Sequence, residues 1–212
     1  MPNRTDLSAT LLFVVWSVTH AFNPTLQTMS KESSTEKDRL WCSLSSETEQ
    51  MLNQQIAVES ASEAHYRAMA AWCDVHGHRG AAALLYHHAE EENEHMMRIF
   101  RYVDDAGGHP LQPECHNIRH TFDSLKAVFE LALAQEIKVT QSIHRLVDHC
   151  LSTKDFATFN FLQWFVAEQV EEEALTRRAL ELFTIIPQEG IGIYTLDQAL
   201  EKLKDGVSKK AR

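Results

Sequence analysis

Breakers are scarce in these 212 residues: seven glycines and five prolines. An all-β chain needs many more turns than so few breakers supply, whereas long runs of Ala, Leu, Glu, Gln and His favour helix. Basic charge is also short, with 20 Lys and Arg against 30 Asp and Glu and a formal net charge of −10. Nucleic acid is an unsuitable partner, because its phosphates need a basic face. Cations suit such a chain better. No segment reaches the roughly 18–20 apolar residues of a membrane helix. The four cysteines, Cys42, Cys73, Cys115 and Cys150, form no Cys-x-x-Cys pair. That spacing argues against structural zinc and a disulfide framework, and fits idle thiols in a reducing compartment, hence a cytoplasmic location.

The apolar run Leu11–Val18 resembles a weak export-signal core ending near Ala21, with a thin charged region before it. Met29–Asp38, rich in Ser, Glu and Lys, reads as a linker, and Met29 is an alternative start. Residues 1–43 are therefore expected to be an extension, 44–204 the folded domain and 205–212 a basic tail.

From Ser45 the chain becomes a series of long helical segments. Cap residues at Ser45-Ser46 open a first helix running to about Val75, and the Gly-containing turn at 76–80 leads to a second ending near Ala106. Gly108 to His120, with Pro110 and Pro113, is irregular. Thirteen extended residues span roughly 40 Å, the length of a long helix. That reach allows the second and third helices to run parallel. A third helix opens around Thr121–Ser124 and continues to about Leu151, and a short link at 152–155 leads to a fourth ending near Ile186. Beyond Pro187, Gly190 and Gly192, a short amphipathic fifth helix carries Ile193, Leu196, Ala199, Leu200 and Leu203. The expected architecture is an all-α four-helix bundle with a long crossover between helices 2 and 3.

Carboxylates occupy positions where apolar residues belong. Glu92 falls within the stripe of Leu85, Ala89, Met96 and Ile99, with His95 one turn on. Glu136 sits among Phe129, Ala132, Val139 and Ile143; Gln169 and Glu172 share a face with Leu162 and Phe165; Glu59 lies among Gln55, Ile56, Ser62 and Tyr66. At about 1.5 Å per residue, Glu136 lies roughly 25 Å before the turn near Thr153 and Gln169 about 24 Å after it. Glu59 and His95 are almost equally far from the turn near His78. One polar layer thus crosses the middle of the bundle. A buried ionised carboxylate without a partner costs several kcal/mol or more, as an order of magnitude. With no Lys or Arg in the layer, metal cations are the expected counter-charge. The donors Glu59, Glu92, His95, Glu136 and Glu172, with Gln169 beside them, favour iron or manganese over structural zinc. The remaining histidines, His76, His78, His87, His88 and His149 among them, are expected on solvated surfaces, and Trp164-Phe165 as core filling.

Three stretches, His88-Ala89-Glu90-Glu91-Glu92-x-x-His95, Thr158–Trp164 and Glu168-Gln169-x-Glu171-Glu172-Glu173, resemble bacterial non-haem ferritins. The resemblance runs from about Leu44 to Leu203 and implies a ferritin-like bundle in a shell of twenty-four subunits. That shell would oxidise Fe(II) with O2 or peroxide and store a ferric mineral. It implies a first iron on Glu59, Glu92 and His95, with Glu92 bridging to a second on Glu136 and Glu172 and Gln169 close by. It also implies a third iron site on Glu91, Glu168, Glu171 and Glu172, and a tyrosine, Tyr66, beside the centre. Asn93 and Glu94 stand where bacterioferritins carry a haem-binding Met, and a second Glu-x-x-His is missing, so no haem is expected. Two other readings stay open: a di-iron peroxidase or oxygenase, and a shell that sequesters metal without turnover.

Overall fold

The computed structural model describes residues 42–207. The signal-like run, the linker and residues 208–212 of the expected basic tail lie outside that range; 205–207, also expected in the tail, continue the last helix. Among the described residues there are five helices: α1 Ser46–Val75, α2 Arg79–Asp105, α3 Leu125–Thr153, α4 Phe156–Ile185 and α5 Ile191–Val207. No described helix is long and apolar enough to cross a membrane.

Local chemistry sets the helix ends. The Ser45 hydroxyl accepts from the Thr48 amide, that of Ser124 from Ala127, and the Asp155 carboxylate from Thr158. Each satisfies an amide that has no partner within its helix. Ser43, placed in the extension by sequence, bonds through its amide and its hydroxyl to the Ala106 carbonyl. The turn between α1 and α2 uses Gly77 at φ +84, in the left-handed region. α2 lacks a cap of its own, since His78 makes no side-chain capping bond. Asp197 of α5 supplies one instead, accepting from the Gly80 amide at 2.8 Å and the Ala81 amide at 2.9 Å. A Cβ at Gly80 would lie 2.2 Å from the Asp197 carbonyl oxygen, so only glycine admits this approach.

α1 packs on α2 and α3 on α4, each pair joined by a short turn, while α5 lies against α2 and α4. Thr48 near the start of α1 meets His149 near the end of α3, and Tyr66 further along α1 meets Glu136 earlier in α3. α3 is therefore antiparallel to α1 and parallel to α2, as the long crossover requires. The crossover follows α1: His109 bonds Glu49 and Asn53, Leu111 bonds Asn53, and Cys115 bonds Ser60. It continues to Ser124, four residues beyond the expected end, because Ser124 is the cap of α3.

The apolar core is divided in two. One cluster holds Met69, Leu84, Leu85, Phe129, Phe183 and Leu196; the other holds Leu52, Ile56, Ile99, Ile143, Leu162 and Phe165. Between them lies the polar layer.

Candidate metal centre

Each helix of the bundle delivers side chains to this layer: α1 gives Glu59 and Tyr66, α2 gives Glu92 and His95, α3 gives Glu136, and α4 gives Gln169 and Glu172. All seven are buried, with Glu59 and Glu136 at 0% exposure. No Lys or Arg is buried among the described residues.

The carboxylates are oriented by neutral donors. Gln55 Nε2 donates to Glu59 Oε1 at 2.7 Å, and the Ser62 hydroxyl donates to Glu92 Oε1 at 2.9 Å. The Tyr66 hydroxyl donates to Glu136 Oε1, and Gln169 Nε2 donates to Glu136 Oε2 at 3.2 Å. Glu59 Oε2, Glu92 Oε2 and Glu172 Oε2 are buried without a hydrogen-bond partner. Native interiors rarely leave such oxygens unsatisfied. Glu59, Glu92 and His95 each direct one ligand atom to within 4.8 Å of the others, a spacing that one metal ion can bridge. A second group of this kind joins His95, Glu168 and Glu172, and a third joins His88, Glu91 and Glu172. Glu171 is exposed and joins none of the three groups. Trp164 and Phe165 pack edge-on against His95, with ring centroids 5.4 and 6.1 Å away, which fixes the imidazole plane.

His88 corrects the sequence expectation. It is buried rather than solvated, its ring stacks on Tyr66 at 5.0 Å, and its Nδ1 lies 3.1 Å from Glu172 Oε2. Its position was available in the periodicity: 88, 92 and 95 are spaced i, i+4 and i+7 and share one helix face. His87 is half-buried, beside Glu91 at 3.5 Å.

Burial and mutual repulsion displace the titrations. Glu59 is raised well above the carboxylate range by burial, then by Glu92, and Glu92 likewise by burial and Glu136; Glu136 is raised by burial and Glu172. Burial, with Glu172, pushes Glu91 up to about 7. For His88, burial acts downward, but the charge and close approach of Glu172, with Glu91 and Glu136, outweigh it and raise it to about 9. Glu172 is the converse: burial acts upward and His88 prevails, holding it low.

These shifts fix how metal-free stability depends on pH. Glu91 binds its proton more tightly folded, from 4.5 to about 7, and so does His88, from 6.5 to about 9. The folded state therefore holds more protons than the unfolded state across both intervals, and stability falls as pH rises through them. Glu172 contributes in the opposite sense, but its contribution is lost only at lower pH. With chelator present, the thermal midpoint is expected to fall steadily from about pH 5 to about pH 9. Saturating Mn(II) should flatten that slope. A chelated midpoint that climbs over this range would contradict the charge assignment.

A family model described as "Ferritin-like domain" matches residues 49–186. The chain belongs to the ferritin family. A bacterial non-heme ferritin from Campylobacter jejuni is 39% identical over 160 residues, 76% of this chain and 96% of that protein. One from Escherichia coli O157:H7 is 38% identical over 152 residues, covering 72% and 92%. Among solved structures, an open-pore ferritin of the hyperthermophilic archaeon Archaeoglobus fulgidus superposes with a TM-score of 0.73. It is 36% identical and covers 76% of this chain and 98% of that one. Family membership confirms the all-α, ferritin-like four-helix bundle with a short fifth helix.

Proposed function

We propose that this protein is an iron-storage ferritin that oxidises Fe(II) at a paired-metal centre within each subunit. The observation that carries the reading is the set of buried carboxylates with unsatisfied oxygens converging around His95. Burying that much negative charge without cations is unfavourable, and a divalent substrate removes the penalty on arrival.

Glu59, Glu92 and His95 hold the first Fe(II). Glu92 extends to the second, which Glu136 and Glu172 hold, with Gln169 beside it. Oxygen donors with one imidazole suit iron and stabilise the ferric charge better than the ferrous. Each Fe(II) gives up one electron, so a pair reduces one O2, with two protons, to the level of hydrogen peroxide. Tyr66 holds Glu136 through its hydroxyl, and Gln169 holds the other oxygen of the same carboxylate. Ser62 and Gln55 do the same for Glu92 and Glu59. A third cation beside the pair takes Glu168 and Glu172, and the family resemblance adds Glu91 and Glu171. Ferric product then leaves for a mineral inside a shell of identical subunits, twenty-four by the family pattern, in the cytoplasm.

The test measures particle mass, oxygen uptake and retained ferric iron after Fe(II) is added to the full chain. A large shell that consumes O2 and keeps the iron supports the proposal. A small oligomer that consumes O2 and releases Fe(III) favours a soluble di-iron oxidase, and a shell that binds Fe(II) without oxygen uptake favours sequestration.

A further inference from the structure

Between α3 and α4 a chain of polar side chains leads outward from Glu136. Gln169 Nε2 donates to Glu136 Oε2 at 3.2 Å, and it faces the Glu136 carbonyl and the Thr140 hydroxyl, each at 3.4 Å. The Thr140 hydroxyl in turn donates to Glu173 Oε1 at 2.6 Å. The other oxygen of Glu173 accepts from the Arg177 guanidinium. Exposure rises along this chain: Gln169 is buried, Thr140 half-buried, the Glu173 side chain 15% exposed and that of Arg177 51%. The direction of the bonds is set from the outside. A guanidinium only donates, so it takes Glu173 as an acceptor, and a hydroxyl has a single proton to give. With that proton on Glu173, Thr140 can only accept from Gln169. Glu136 Oε2 also takes a donor. Which end of a glutamine amide is nitrogen follows from such partners. Both neighbours select nitrogen, and the oxygen, Oε1, is the end turned away from them.

We infer that Thr140 and Glu173, anchored by Arg177, are positioning residues that turn Gln169 Oε1 toward the second metal. The inference rests on the paired centre proposed above. A neutral oxygen at that place adds a ligand without adding charge to a layer already rich in buried carboxylates. In the reversed amide the nitrogen would face the cation, and that nitrogen offers two N–H donors and no acceptor. Thr140 stands one helical turn from Glu136, and Glu173 one turn from Gln169. Neither is placed on a metal, and both act only through the amide.

Mn(II) alone, added to the full-length protein and followed by electron paramagnetic resonance, provides the test, because a spin-coupled pair signal needs both positions filled. Thr140→Val keeps the shape and removes the hydroxyl. The pair signal should then need about 10-fold more Mn(II) than in the parent, the lower end of what loss of an outer partner costs a metal site. Thr140→Ser retains the hydroxyl and should return the signal to the parent's concentration. Gln169→Glu has two equivalent oxygens and no amide to orient. In that background Thr140→Val should change the required Mn(II) by less than about 3-fold, a coupling that a contact merely joining α3 to α4 would not produce. An unchanged Mn(II) requirement in Thr140→Val, or an equal loss in both backgrounds, overturns the inference and leaves the paired centre standing. So does a Thr140→Ser variant that behaves as Thr140→Val. No coupled pair in the parent at any Mn(II) concentration overturns the paired centre and this inference together.

Discussion

Glu92→Ala is expected to abolish fast Fe(II) oxidation, lowering the initial rate by at least about 100-fold. Loss of a residue that merely supports a metal ligand already costs 10–100-fold, and Glu92 is proposed as the ligand shared by both irons. It is also one vertex of the buried Glu59–Glu92–His95 group. The helix itself tolerates the change, because alanine is the best helix former. Misfolding is separated from the chemical effect by a second variant. Glu92→Gln retains the volume and removes a carboxyl that burial, with Glu136, holds high and whose charge, after burial, raises Glu59. In the presence of chelator its thermal midpoint should exceed the parent's, while oxidation stays slow. Stopped-flow oxidation and calorimetry on both variants decide the matter. Parent-rate oxidation by Glu92→Ala would remove this residue from the centre.

The reason so much of this centre was legible lies in helical geometry. A period of 3.6 residues puts Glu92 inside the stripe of Leu85, Ala89 and Met96, and the turns at 76–78 and 154–155 fix the depth of every proposed ligand along its helix. Depth along a helix is linear in residue number, so four segments could be aligned without coordinates. Contacts that depend on how one helix faces another were not legible. Asp197 capping α2 across 116 residues is one such contact, since nothing local to Gly80 announces a cap supplied by α5. His88 is another. The sequence marks it as sharing the face of Glu92, but histidine is ordinary on a solvated surface, and only the approach of Glu172 from α4 distinguishes it. The resemblance-implied third site shows the same limit. Glu168, Glu171 and Glu172 share a face by spacing, yet Glu168 converges with His95 and Glu91 with His88, while Glu171 remains exposed.

His88→Leu is expected to produce a large loss of stability in the metal-free protein. The layer has no buried Lys or Arg, and the His88 imidazole is the group that holds Glu172 ionised. Removing one partner of a buried pair leaves the other charge uncompensated, which costs about 3–5 kcal/mol. Leucine is close enough in size to limit the cavity contribution, although the stacking on Tyr66 is also lost. Two features distinguish this outcome from a simple packing defect. The loss should be greatest near neutral pH and shrink at pH values low enough to protonate Glu172, because a neutral carboxyl needs no counter-charge. A divalent cation bound at Glu172 should also recover most of the stability, since it replaces the missing positive charge at the same oxygen. Urea unfolding at neutral and acidic pH, with chelator and with Mn(II), measures both. A loss that is independent of pH and metal would mean that His88 contributes only its shape, and that the charge balance of the empty centre is held elsewhere.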